Sequence, residues 1–165
     1  VEYDSIKAVK SAVKIPVIAN GDIDSPQKAL AVLAYTGADG VMIGRAAQGR
    51  PWIFRDTEHF FAHGDLPNAP RVDEVAMLMR EHLEDHYTLY GEWSGVRSAR
   101  KHIGWYTEGL PGGDAFRDAL NVLSGSAEQL AAVRTYFSQL ADDFDRLPLT
   151  AYTMNQPLPA LVPLH

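Results

Sequence analysis

The chain has 165 residues, with 15 Lys and Arg against 21 Asp and Glu and a formal net charge of −6. That length holds one to two domains and a real core, but falls short of a complete enzyme barrel of about 250 residues. Having no cysteine, the chain excludes disulfides, zinc–thiolate sites, iron–sulfur clusters and a cysteine nucleophile of its own, and no apolar run reaches the ~18 residues of a membrane span. Glu2, Asp4, Lys7 and Lys10 interrupt any signal peptide, so a cytoplasmic location is expected. The opening on Val1, almost at once inside a helical pattern, carries the expectation of further chain upstream.

In chain order, a short helix is expected after Asp4, with Ile6, Val9 and Val13 on one face. Ile15 to Ala19 form an apolar, β-branched run ended by Asn20-Gly21-Asp22, which predicts a buried strand and a tight turn. Ser25-Pro26 supplies an N-cap and a first helical proline, and Gly37 suits the residue after the last turn. Val41-Met42-Ile43 is a second strand closed by Gly44-Arg45, and Pro51 opens a helix through about Phe61. The order αβαβα implies parallel strands joined by helical crossovers.

From residue 71 the charge balance changes: residues 71–146 carry eight basic and thirteen acidic side chains, against seven and eight in residues 1–70. Here no strand pattern is found. Val75, Met79, Leu83, His86 and Tyr90 keep helical spacing up to Gly91; Val96, Ala99, Ile103 and Tyr106 follow Gly95; Phe116, Leu120 and Leu123 mark a third helix. Ser126 and Gln129 read as a capping box for a fourth helix through Phe144. Four amphipathic helices with short links predict a small antiparallel bundle. The expected organisation is residues 1–64, a four-helix unit over 65–146, and an extended or disordered tail over 147–165 that holds Pro148, Pro157, Pro159 and Pro163.

Asn20-Gly21-Asp22 and Gly44-Arg45 each stand at the C-terminal end of a predicted parallel strand. In a (β/α)₈ barrel that end carries the active site, and the loops after the last strands commonly bind phosphate. Glycine admits an anion close to the backbone and arginine adds a planar donor fork. Each motif alone is also a common turn; at matching positions of consecutive βα units they point to phosphate binding.

The run Ile15 to Ile23 and the run from Tyr35 through Met42-Ile43-Gly44-Arg45-Ala46-Ala47-Gln48-Gly49-Arg50-Pro51-Trp52 to Phe54 resemble the end of the barrel of bacterial tRNA-dihydrouridine synthases, closest to the B-type subfamily. Glu2-Tyr3-Asp4 resembles the segment after that family's His-Gly-Arg-Thr motif, and Val96 to His102 resembles the signature of its C-terminal helical domain. The resemblance spans residues 1–144. It implies an α/β plus all-α chain: C-terminal βα units of a TIM (β/α)₈ barrel with the last two strands, followed by a tRNA-binding bundle. It further implies FMN held through Asn20, Gly21, Asp22, Gly44 and Arg45, NADPH as electron source, and reduction of a tRNA uridine to 5,6-dihydrouridine after the base is extruded from its stack. The family's catalytic cysteine and flavin-contacting lysine have no counterpart in these 165 residues, so no catalytic residue is assigned here and the chain alone is expected to be inactive.

A net −5 over residues 71–146 opposes polyanion binding, yet no acidic residue lies between Glu92 and Glu108. Arg97, Arg100 and Lys101 share one helix face. A solvated face is the plainer reading of these residues; with the resemblance, contact with the tRNA backbone is expected. His82 and His86 have metal-chelating spacing, but with no third ligand evident no metal is assigned. Trp52, Trp93 and Trp105 read as packing, while Gln48 and Arg50 suit a structural or a substrate role equally. Two other readings stand beside the synthase: another FMN barrel oxidoreductase, and a non-catalytic RNA-binding scaffold. Oligomeric state is left open.

Overall fold

The computed structural model describes residues 2–148, which divide into one unit ending at Pro67 and another beginning at Asn68. In the first unit, helix α1 (Tyr3–Ala12) precedes strand β1 (Ile18–Asn20), helix α2 (Pro26–Thr36) crosses over to strand β2 (Gly40–Met42), and α3 (Ile53–His63) closes it. The strands pair in parallel, with Ile18 opposite Gly40 and Asn20 opposite Met42. Ser25 caps α2 by accepting from the Lys28 N–H at 3.3 Å, and Gly37 ends it in the left-handed region.

The first strand begins three residues later than the apolar run predicts, because the chain before Ile18 is held by a side chain. Asp39 accepts the Val17 N–H at 2.7 Å while its own N–H donates to the Val17 carbonyl at 2.8 Å, and Pro16 has no N–H to offer a ladder. The strands are also not buried on both faces. Ala19 is fully buried among Ile23, Ala29, Val32, Ile43 and Ile53, whereas Ile18 and Met42 remain more than half exposed. Side chains alternate across a strand, and the core of this unit forms on the Ala19 face alone. Each fully buried Val or Ile there contributes about 1.5–3 kcal/mol, so this small cluster carries most of the unit's cohesion.

In the second unit α4 (Val72–Thr107) runs for 36 residues, but Gly91 interrupts it at φ 72°, ψ 171°. Residues 72–90 and 92–107 are antiparallel limbs of a hairpin. The His86 ring meets Ser98 Oγ at 2.7 Å, His82 and His102 rings lie 4.9 Å apart, and the Tyr106 hydroxyl lies 3.5 Å from His82 Nδ1. Val75, Met79, Leu83 and His86 on one limb, with Val96, Ala99, Ile103 and Tyr106 on the other, are all buried. The second limb starts straight after Gly91. Gly95 is instead a point of close approach, where a Cβ would lie 3.2 Å from Tyr87 Cδ1.

Helix α5 (Gly113–Leu120) begins earlier than Phe116, and α6 (Ser126–Asp143) completes the unit. The α6 cap differs from the expected Ser126–Gln129 box. Glu128 accepts the N–H groups of Gly125 at 3.1 Å and Ser124 at 3.2 Å, while Ser126 donates from both N and Oγ, at 2.6 Å each, to Glu92 at the hairpin turn. Gln129 is fully buried, accepting from the Tyr87 hydroxyl at 2.8 Å and donating to the Val96 carbonyl at 3.2 Å. The ends of the unit are tied together: Val72 N–H donates to Asp145 O and Leu147 N–H to Pro70 O, both at 3.0 Å. Leu147 is therefore docked and buried rather than the start of a tail; residues 149–165, with the rest of the expected tail, lie outside the described residues. Among the described residues no helix is long and apolar enough to cross a membrane.

Candidate functional site

Asn20, Gly21 and Asp22 at the end of β1, and Gly44 and Arg45 just beyond β2, line one cavity of about 680 Å³. The parallel pairing brings them together, because both strands point the same way and end at the same edge. The turn there departs from ordinary backbone: Gly21 has φ 140° and Asp22, at φ 44°, is the one non-glycine with positive φ among the described residues. Tyr3 on α1 pins the turn by donating its hydroxyl to the Gly21 carbonyl at 2.6 Å. Burial, followed by the charges of Asp22 and Asp24, pushes the Tyr3 phenol up, so it remains a donor.

Across the cavity mouth Arg45 donates to Asp22, an ion pair whose side chains are 85 % and 55 % exposed. A pair so wet is worth about 0–1 kcal/mol, and a doubly charged anion can displace the carboxylate from the guanidinium at little cost. At Gly44 a Cβ would meet no protein atom within 4 Å, so the space before it is open to a ligand. Asp24, Met42, Ala46 and Arg50 also face the cavity, a set that motif reasoning passed over apart from Arg50. Arg50 is buried and lies 4.0 Å from the fully buried Asp56, which also holds Arg55 at 3.2 Å, so it belongs to the floor of the site. Gln48 is exposed and lies outside the lining, while Trp52 is buried. A second cavity of about 650 Å³ between α5 and α6 is lined mainly by Ala115, Phe116, Ala131, Ala132 and Tyr136, and lacks such a convergence of charged groups.

In the second unit the three cations grouped by spacing divide. Arg97 and Lys101 are exposed; Arg100 is half-buried and donates from Nη2 to the Leu123 carbonyl at 3.0 Å. Its position three residues after Arg97 rotates it toward the link between α5 and α6. In its place the structure adds two aromatic rings. The Arg97 guanidinium lies 5.1 Å from the Trp93 ring centroid, and Lys101 Nζ lies 4.7 Å from that of Trp105. Positions 93, 97, 101 and 105 therefore make an i, i+4 stripe in which two cations are flanked by a ring at either end. Trp93, 75 % exposed, does not pack as the sequence suggested; the Trp–Arg spacing of four was the signal available for it. Glu92, the nearest acid, is committed to Ser126, whose hydroxyl and then backbone bonds hold its carboxyl below the usual range.

The sequence profile of the dihydrouridine synthases matches residues 1–142. The chain belongs to the dihydrouridine synthase family. Its relatives include tRNA-dihydrouridine synthase B of Pseudomonas putida, 55 % identical over 138 residues, which cover 84 % of this chain and 41 % of that protein. The proteins of the same name from Vibrio cholerae and Pectobacterium carotovorum are 53 % and 52 % identical over 141 and 140 residues, in each case 85 % of this chain and 44 % of the relative. This dihydrouridine synthase chain thus spans less than half the length of the relatives it matches. The matched region takes in both the cavity and the stripe.

Proposed function

We propose that the protein carrying this chain reduces uridine to 5,6-dihydrouridine in cytoplasmic tRNA, with FMN in the cavity of the first unit and NADPH as the source of electrons. The observation that carries this reading is the convergence of Asn20, Gly21, Asp22, Gly44 and Arg45 on one cavity at the C-terminal edge of a parallel strand pair. Their chemistry suits the non-reacting end of FMN. Arg45 offers a charged fork to the phosphate, Gly21 and Gly44 let backbone approach it, and the Asn20 amide and Asp22 carboxylate suit ribityl hydroxyls. The bound flavin would supply the hydride. This chain's residues would fix where that flavin sits, while the stripe of Trp93, Arg97, Lys101 and Trp105 would hold the tRNA through stacking and phosphate contact.

The test expresses the whole gene product in a strain whose tRNA lacks dihydrouridine. A yellow protein that restores the modification is expected; a colourless protein that leaves uridine unreduced overturns the proposal. Arg45→Ala should lower FMN retention by at least about 10-fold, since one charge-assisted contact is worth about 1.5–3 kcal/mol. Its thermal midpoint without flavin should stay put, because the residue is exposed. Full flavin retention in that variant would remove Arg45 from the site.

A further inference from the structure

The sequence offers His82 and His86, one helical turn apart, with no third ligand beside them. The hairpin at Gly91 supplies one. His102, sixteen residues beyond His86 in sequence, returns on the opposite limb, and one ring nitrogen from each of His82, His86 and His102 lies within 4.8 Å of the others. We propose that these three imidazoles form a binding site for a borderline divalent transition cation of the Zn²⁺ class, independent of the strand-end cavity.

Three features carry the assignment. The first is donor chemistry: neutral imidazole suits Zn²⁺, Ni²⁺ and Co²⁺, and three histidines leave a fourth tetrahedral position for water. The second is geometry. Nitrogens bound at about 2.0–2.1 Å around a tetrahedral ion stand roughly 3.3 Å apart. The present spacing therefore has to contract by at most about 1.5 Å, within reach of small side-chain rotations. The third is the polar partners of the rings: Ser98 Oγ bonds His86 Nε2 at 2.7 Å, and the Tyr106 hydroxyl lies 3.5 Å from His82 Nδ1. Each imidazole has two nitrogens, so a partner at one leaves the other for an ion.

Lys101, beside His102 in sequence, carries the same sign as a bound cation, and its ammonium is drawn over the Trp105 ring. A bound cation would join residues 72–90 to residues 92–107 across their whole sequence separation, acting as a clasp on the hairpin that presents the aromatic–basic stripe. It calls for no change in redox state and no covalent step.

The whole protein is stripped with EDTA, dialysed and titrated calorimetrically with Zn²⁺ alone, then with Co²⁺ while visible absorption is followed. One equivalent of Zn²⁺ should bind through this cluster, with nitrogen-ligated Co²⁺ bands and a rise in the thermal midpoint. His102→Asn and His82→Asn, both half-exposed positions chosen to preserve folding, should each weaken that equivalent by about 100-fold or more with unchanged helical circular dichroism. The double variant His59→Gln/His63→Gln, which removes the adjacent ring pair on α3, should leave it intact. Failure of the folded unsubstituted protein to bind, or binding that survives His102→Asn and is lost in the α3 double variant, overturns the proposal. Neither outcome depends on flavin or on tRNA reduction.

Discussion

Arg100 and Arg97 stand three residues apart on one helical limb and face different tasks. Arg100 reaches the Leu123 carbonyl, and its Nε is buried without a hydrogen-bond partner in the structure, so its charge is spent inside the unit. Arg97 and Lys101 lie in the open over tryptophan rings. Charge reversal of Arg97 and Lys101 should therefore lower tRNA affinity and reduce the slope of log K against log salt by about 1 per lost phosphate contact. Arg100→Ala should lower the thermal midpoint and leave that slope nearly unchanged. Filter binding across a salt series, beside melting of each variant, checks both; an unchanged slope in the Arg97→Glu/Lys101→Glu protein removes the stripe from the interface. Helical spacing placed all three cations on a shared face, but a face spans a wide arc. Which edge of it meets a neighbouring element is decided by packing that spacing does not contain.

At the scale of elements, the apolar rhythm marked the buried stripes of both limbs of α4 and of α6, because periodicity is a property of local sequence. The caps were less legible. Ser126 carries the residue type of an N-cap, yet its hydroxyl goes to Glu92, 34 positions away, and Glu128 takes the local donors instead. The strand edges were misread for a similar reason: Val17 looks like strand but bonds to Asp39, a long-range partner. The join between α4 and α5 is tighter than any link pattern suggests. A Cβ on Gly113 would lie 2.2 Å from the Thr107 carbonyl oxygen, a backbone atom that cannot swing aside. Gly113→Ala should destabilise the helical unit by about 1–3 kcal/mol or more, the usual cost of overpacking. Urea unfolding followed by circular dichroism measures it, and a shift under about 0.5 kcal/mol would show that α5 can move to make room.

For the molecule as a whole, acid acts on the first unit through Asp39. Asp39 accepts from Lys10 Nζ at 2.6 Å and from the Val17 N–H, and these bonds hold its carboxyl below the ordinary 3.8. As pH falls the unfolded chain takes up this proton first. The stabilisation is complete above the ordinary value and drains away as pH drops through the lower, folded one. Asp39→Asn should lower the thermal midpoint of the first unit at neutral pH and flatten its decline between about pH 5 and pH 2; an acid limb as steep as the unsubstituted protein's would contradict this. The strand-end cavity was legible in outline, since Asn20 to Asp22 and Gly44-Arg45 carry turn and anion chemistry in their own residues. Tyr3, Asp24 and Arg50 complete it only through the fold. The three tryptophans give the molecule a built-in optical readout. Trp52, buried in the first unit, should shift its emission to longer wavelength when that unit melts. Trp93, already bathed in water, would be nearly silent to unfolding of its own helix, yet quenched by any nucleobase laid upon it.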